Sequence, residues 1–195
     1  MQRIATIGGL LASLILIVLG IASVVIGAKG HSDVRDSIAD ERIVCTPDMT
    51  PEAIAESAEV AGVEVPDCSV ADEEVDTGDD ARCFGEYLRI HALEATGGQT
   101  YAEMPRFIDA QGNPTEDESE AATDPESGEA AENPQREIWV SGTAFSTALN
   151  TSYFAEQVAR FGIVMGIAMI LIGIGFLALI WFGGLRPVRT GANRS

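Results

Sequence analysis

Two long apolar runs constrain this chain more than any other feature. Residues 4–28 and 161–185 each make 25 positions without Asp, Glu, Lys, Arg or His. Roughly 20 apolar residues suffice to cross the hydrocarbon core of a bilayer as a helix, so both runs can span it with some tilt. What remains of the 195 residues is too short for a large enzyme.

The charge lies between these runs. All 30 carboxylates fall between Asp33 and Glu156, and residues 29–159 set seven basic side chains against them, a formal charge of −23. That balance argues against nucleic acid and against anionic lipid head groups as partners. Basic proteins or divalent ions suit it better, and the simplest reading is that acidity keeps a small domain soluble.

Met1-Gln2-Arg3 could open a signal peptide. The apolar run is too long for a signal h-region of roughly 7 to 15 residues, however, and Val24-Val25-Ile26-Gly27-Ala28-Lys29 offers no clean small-x-small cleavage site. The reading is a retained anchor, which places both termini on one side. Arg186, Arg189 and Arg194 mark a tail lacking acids and point it inward, whereas a long loop crosses largely regardless of its charge. Trp181 and Phe182 at one end of the second run, and Tyr153 and Phe154 at the other, suit interfacial positions.

Both spans carry small residues three or four apart or at multiples of that spacing: Gly8, Ala12 and Gly20 in the first, Gly162, Gly166 and Gly173 in the second. Such stripes let helices approach closely. They serve either contact between the two spans of one chain or a homodimer through Gly162-x-x-x-Gly166.

Between the spans the punctuation is helical. Val34, Ile38 and Ile43 extend the first helix to about Arg42 as a stalk. Thr50 followed by Pro51 and Glu52, with Gly62 as the stop, predicts a helix over 51–61. Thr77 as cap, Asp79 and Asp80 in the first turn and Gly97-Gly98 as the stop predict another over 78–96, with Ala81, Phe84, Leu88, His91 and Ala95 as its core face. Thr100 to Glu103 reads as a capping box closed by Pro105. Residues 109–135 are rich in Pro, Gly, Ser and acids and have no large apolar side chain, and are expected to be a disordered linker because they cannot bury enough surface to offset ordering entropy. From Glu137 a helical pattern runs into the second span.

Three cysteines are present. In an oxidising compartment Cys68 and Cys83 would close a loop of 15 residues, a useful staple for a small domain; pairing of Cys45 with either stays open. Of the two histidines, His31 sits at the membrane edge and His91 in the middle of a predicted helix, in no recognisable ligand spacing. The acidic string from Asp72 to Asp80 fails as a calcium loop, with Thr77 where Gly is needed and Cys83 where Glu is needed. The chain has no phosphate loop, nucleophile elbow or Cys-x-x-Cys pair.

Three stretches, VRDSIADERIVCTPDMTPEAIA (34–55), DTGDDARCFGEYLRIHALEATGGQTYAEM (76–104) and REIWVSGTAFSTALNTSYFAEQVARFGIVMGIAMILIGIGF (136–176), resemble a family of two-span actinobacterial membrane proteins labelled aromatic ring-opening dioxygenases. The middle stretch is the most specific, through Asp76-Thr77-Gly78, Tyr87, His91 and the segment Gly97 to Ala102. The resemblance implies a plasma-membrane setting and supplies no active site. The dioxygenase label needs an iron site on a soluble scaffold, and the residues provide neither.

The expectation is therefore an all-α fold with two transmembrane helices flanking a small, mostly helical acidic ectodomain with a disordered linker. Its segments are a cytoplasmic N-terminus (1–3), the first span (4–28), a helical ectodomain (29–108), the linker (109–135), a membrane-proximal helix (136–160), the second span (161–185) and a cytoplasmic tail (186–195). No catalytic residue, cofactor or metal ligand is assigned. The lipid bilayer is one partner, and a membrane or envelope protein recognised through Trp139, Phe145, Tyr153 and Phe154 is the expected other. The alternative is a metal-dependent enzyme or sensor using His91 with carboxylates of the acidic turn.

Overall fold

The computed structural model describes residues 2–182, with side chains from residue 6 onward; positions 183–185 of the expected second span and the tail 186–195 lie outside the described residues. In chain order the elements are α1 (Gln2–Asp40), α2 (Pro51–Ala61), α3 (Gly78–Ala95), β1 (Phe107–Ile108), β2 (Pro114–Thr115) and α4 (Pro134–Trp181). The fold is all-α in its framework, with two long apolar helices flanking a smaller, mostly helical segment. Two compact units result, one built from residues 1–33 and 156–195, the other from 34–155.

The first unit is apolar on the outside. Leu11, Leu14, Val18, Val25, Phe161, Val164 and Leu171 are all more than half exposed, and only 11% of the most apolar window of either helix is buried. A core helix of a water-soluble protein would show the reverse, so lipid is the solvent these faces fit. The protein is an integral membrane protein with two membrane-spanning helices.

Within this unit the two spans meet on small residues. Ser13, Gly20 and Gly27 are buried on α1, as are Gly166 and Gly173 on α4. A Cβ at Gly20 would lie 2.7 Å from the Gly166 carbonyl oxygen, one at Gly27 2.8 Å from that of Ala159, and one at Gly173 2.9 Å from that of Ser13. The Ser23 hydroxyl donates to the Gly162 carbonyl at 2.8 Å. The order of these contacts makes the spans antiparallel, and Gly162, Gly166 and Gly173 all face α1. On the first span the expected stripe needs correcting. Gly8 has nothing within 4 Å and Ala12 is exposed; the contacting set is Ser13, Gly20 and Gly27, because its seven-residue spacing matches Ala159, Gly166 and Gly173 opposite.

The second unit follows local signals closely. Thr50 caps α2, accepting from the Ala53 amide, and Gly62 closes it in the left-handed region at φ 68°. Thr77 and Asp80 form a reciprocal capping box on α3, in which each side chain satisfies a backbone amide that the first helical turn leaves free. Thr100 and Glu103 repeat the device, with the Thr100 amide donating to the Glu103 carboxylate at 2.8 Å. The first helix ends at Asp40, and Ile38 is buried with Val34 and Ile43 packed against the same core.

That core gathers Met49, Ile54, Ala58, Val70, Val75, Ala81, Tyr87, Ile90 and Leu93 among others. The buried face of α3 therefore includes Cys83, Tyr87 and Ile90. Of the predicted face, Ala81 is buried and Phe84 and Leu88 pack half buried against the core, whereas His91 is half buried and Ala95 is exposed, so the face is borne out in part and its buried centre is shifted toward Tyr87 and Ile90. Two contacts set the rotation: the Cys68–Cys83 disulfide, with Cα atoms 6.1 Å apart, and the Tyr87 hydroxyl, which donates to the Cys68 carbonyl at 2.7 Å. Cys45 is a buried free thiol.

Serine at both Cys68 and Cys83 is expected to cost this unit about 3 kcal/mol through the reopened loop. The melting temperature then falls by roughly 10 °C, which thermal scans of detergent-solubilised protein would record; an unchanged midpoint would refute the loop-closure argument.

The second unit also contains α3 packed against the first turns of α4. Gly85 lies beside Ser146 and Leu149, while a Cβ at Gly142 would reach the Ala92 methyl at 2.8 Å, so these helices run antiparallel at close range. The Ser146 hydroxyl donates to the Gly85 carbonyl at 3.1 Å.

Residues 109–135 are ordered, contrary to the expectation of a disordered linker. Phe107 pairs with Thr115 and Ile108 with Pro114, and single bridges join Asp109 to Ala121, Thr123 to Ala130 and Phe107 to Glu132. Side chains supply what an apolar core does not. Asp109 accepts from the amides of Gln111 and Asn113, Asp117 from that of Ser119, and Asp124 from those of Glu126 and Ser127. Such turns offer the backbone local partners, and buried Met104, Phe107 and Asn133 anchor the segment's two ends.

Candidate functional site

The four aromatics proposed as an interaction face separate into two kinds. Trp139 and Tyr153 are half buried, with the Arg89 guanidinium 5.4 Å over the Trp139 ring and that of Arg82 5.3 Å over the Tyr153 ring. These cation–π contacts tie α4 to α3. Phe145 and Phe154 are 66% and 67% exposed, yet nine positions apart they point about 180° from each other around a helix. One shared aromatic face therefore does not form, because the spacing puts its members on different sides.

A different surface emerges beside Trp139. Tyr101, Trp139, Val140, Thr143, Ala144, Thr147 and Ala148 line an open, apolar groove of about 620 Å³. Its floor is one stripe of α4, since positions 140, 143, 144, 147 and 148 recur at helical spacing. Its wall is Tyr101, held by the Arg136 guanidinium stacked 3.9 Å from the ring centroid, which also donates to the Met104 carbonyl at 3.0 Å. Sequence reading found the aromatics and missed the groove. The small residues Thr143, Ala144, Thr147 and Ala148 were its signal, but Tyr101 arrives from a turn about 40 positions earlier. A wider polar cleft of about 1360 Å³ lies nearby, lined by Arg106, Asp124, Glu129, Glu132 and Asn133 among others.

His91 does not meet the acidic turn. Its Nε2 lies 3.6 Å from Asp48 Oδ2 and its Nδ1 3.6 Å from Glu94 Oε2, beyond hydrogen-bonding distance. A hydrogen bond from the Thr46 side chain, aided by a backbone bond and the nearby His91, holds the Asp48 carboxyl below its usual range. Among the described residues no group of three or more His, Cys, Asp and Glu side chains could hold a metal ion. The carboxylates around His91 are thus Asp48 and Glu94, from the α2 approach and from α3 itself.

Burial, with the charges of Asp80 and Glu73, pushes the Cys45 thiol up to about 11. It is therefore protonated and a poor nucleophile at neutral pH. In the 109–135 segment, the hydrogen bonds to Asp109, Asp117 and Asp124 hold these exposed carboxyls below their ordinary range, which favours the charged form that the turns require.

One cluster had no sequence signal. Glu156 is fully buried, although it is ionisable and lies just ahead of the second apolar run. Its Oε1 is 3.1 Å from His31 Nε2, and Arg160, one turn later on α4, donates to the same oxygen. In the sequence Glu156 is one carboxylate among thirty; only the pairing of the spans brings it to His31.

No protein family, curated protein or solved structure matches the chain.

Proposed function

We propose that the protein is a non-catalytic accessory module of the cell envelope, which holds an acidic ectodomain at the outer membrane face and docks an envelope or membrane protein there. The apolar groove between Tyr101 and Trp139 carries this reading. It is an exposed concave apolar surface on a unit that is otherwise strongly acidic, and concave, mostly apolar surfaces are where binding sites form. The Cys68–Cys83 disulfide supports an oxidising compartment for this unit, and the arginines at positions 186, 189 and 194 support termini on the inner side. The resemblance to two-span actinobacterial proteins agrees with a plasma-membrane setting.

Filling the groove tests the proposal. Ala144→Arg and Ala148→Glu are expected to lower recovery of the partner, after crosslinking in whole cells, by roughly tenfold, equivalent to about 1.4 kcal/mol. Phe145→Ala, on exposed surface outside the groove lining, is expected to leave recovery unchanged. Full recovery with both groove variants would remove the proposal.

A further inference from the structure

The apolar groove adjoins the polar cleft, since Tyr101 and Val140 line both. Along α4 the two form one depression, small and apolar from Val140 to Ala148 and acidic toward Pro134. In the cleft five carboxylates, those of Glu118, Asp124, Glu129, Glu132 and Glu137, face two guanidiniums, Arg106 and Arg136. Both guanidiniums are engaged elsewhere. Arg106 lies 5.1 Å over the Phe107 ring, and Arg136 stacks on Tyr101 and donates to the Met104 carbonyl. Among the described residues no ion pair includes Glu118, Glu129, Glu132 or Glu137. The amides of Glu126 and Ser127 donate to Asp124 and favour its charged form. The cleft thus sets unneutralised negative charge beside an apolar slot. An occupant that fills both carries positive charge next to an apolar face.

Shape narrows the class further. Thr143 and Thr147, like Ala144 and Ala148, recur four apart on α4, and their small side chains leave a trough between Tyr101 and Trp139 that takes the ridge of a second helix. From Glu137 to Ala148 the depression follows α4 for roughly 17 Å, the reach of a short helical segment. A second copy of this chain is a poor occupant, because residues 29–159 carry a formal charge of −23 in each copy and two such units repel one another.

We propose that groove and cleft together receive an amphipathic helix of a partner protein, its apolar face on Val140 to Ala148 and its basic end against Glu129, Glu132 and Glu137. This rests on the docking role proposed above and adds the chemistry of what docks.

Trp139 reports on the groove. It and Trp181 are the only tryptophans, and Trp181 is 84% exposed, so the full-length chain carrying Trp181→Phe, in uncharged detergent, leaves one fluorophore. The probes are three tryptophan-free synthetic peptides of about 15 residues that share one helical face of Leu and Ala and differ at one end, which carries Lys, Gln or Glu. The Lys peptide is expected to shift Trp139 emission and to bind roughly tenfold more tightly than the Gln peptide, as several individually weak exposed pairs add together; the Glu peptide should bind most weakly. At about 1 M salt, where the screening length falls to roughly 3 Å, the Lys and Gln peptides should converge. Glu129→Gln, Glu132→Gln and Glu137→Gln combined should bring the Lys peptide to the Gln affinity and leave the Gln peptide unchanged. Ala144→Leu, at an exposed position, fills the trough and should abolish the response to all three.

Equal binding of the Lys and Gln peptides overturns the proposal while leaving the groove a docking site. A response to the Lys peptide that survives Ala144→Leu also overturns it, because charge without the apolar slot would then suffice. So does the absence of any response; recovery of the partner from whole cells with the groove variants then decides separately whether the groove docks a protein at all.

Discussion

Leucine in place of Gly166 is expected to separate the two spans. A Cβ there would sit 2.6 Å from the Gly20 carbonyl oxygen, 2.7 Å from Val24 Cγ2 and 2.8 Å from the Val24 amide nitrogen. Two of these three atoms are backbone in the middle of a helix and cannot step aside, so the helices must move apart. Overpacking a close interface costs about 1–3 kcal/mol, and the larger cost here is loss of the contacts along the whole stripe. A Cβ at Gly30 would lie 3.8 Å from that of Ala159, close to the mean separation in a disulfide, so Gly30→Cys with Ala159→Cys reads the contact; its crosslinking should fall by roughly tenfold, corresponding to about 1.4 kcal/mol. Gly8→Leu is the control, because nothing lies within 4 Å of that position and the added side chain meets lipid. Equal crosslinking in the two variants would show that Gly166 does not face the first span.

The second large effect is expected at Tyr87, fully buried at the centre of the intervening unit. Truncation to alanine removes a ring surrounded by core side chains and leaves a cavity, at a cost of about 3–5 kcal/mol. Phenylalanine keeps the ring and loses only the 2.7 Å hydrogen bond to the Cys68 carbonyl, at a cost of about 1 kcal/mol. Urea unfolding of the solubilised protein, followed by near-ultraviolet circular dichroism, should rank wild type, Tyr87→Phe and Tyr87→Ala in that order. Equal losses for the two variants would place the stabilisation in the hydroxyl, not in the packing of the ring.

Both predictions rest on residues whose importance the linear pattern conveyed unevenly. Helix ends were legible because capping is local: Thr50 with Pro51 and Gly62, Thr77 with Asp80, and Thr100 with Glu103 sit where their sequence neighbours demand. The Cys68–Cys83 pairing was expected as a staple for a small domain, while the alternatives with Cys45 stayed open until the structure chose. The face of α3 was legible in part: Ala81, Phe84 and Leu88 reach the core, but its fully buried centre is Cys83, Tyr87 and Ile90, a rotation that the position of Cys68 sets. The order within 109–135 was hidden for a related reason. Its partners are amides and short polar side chains, which an argument from apolar burial does not count. The candidate site was half visible: Trp139 was singled out, while Tyr101 and the small residues of its groove were not.

Apolar length and the placement of charge determined from the chain alone that two helices cross a bilayer and that an acidic unit lies between them, because transfer into lipid depends on composition within one continuous segment. Tertiary structure alone decided which small residues meet and which of thirty carboxylates is sealed from water against His31. Those outcomes depend on what stands opposite in space, and for Glu156 that partner is 125 positions away in the chain.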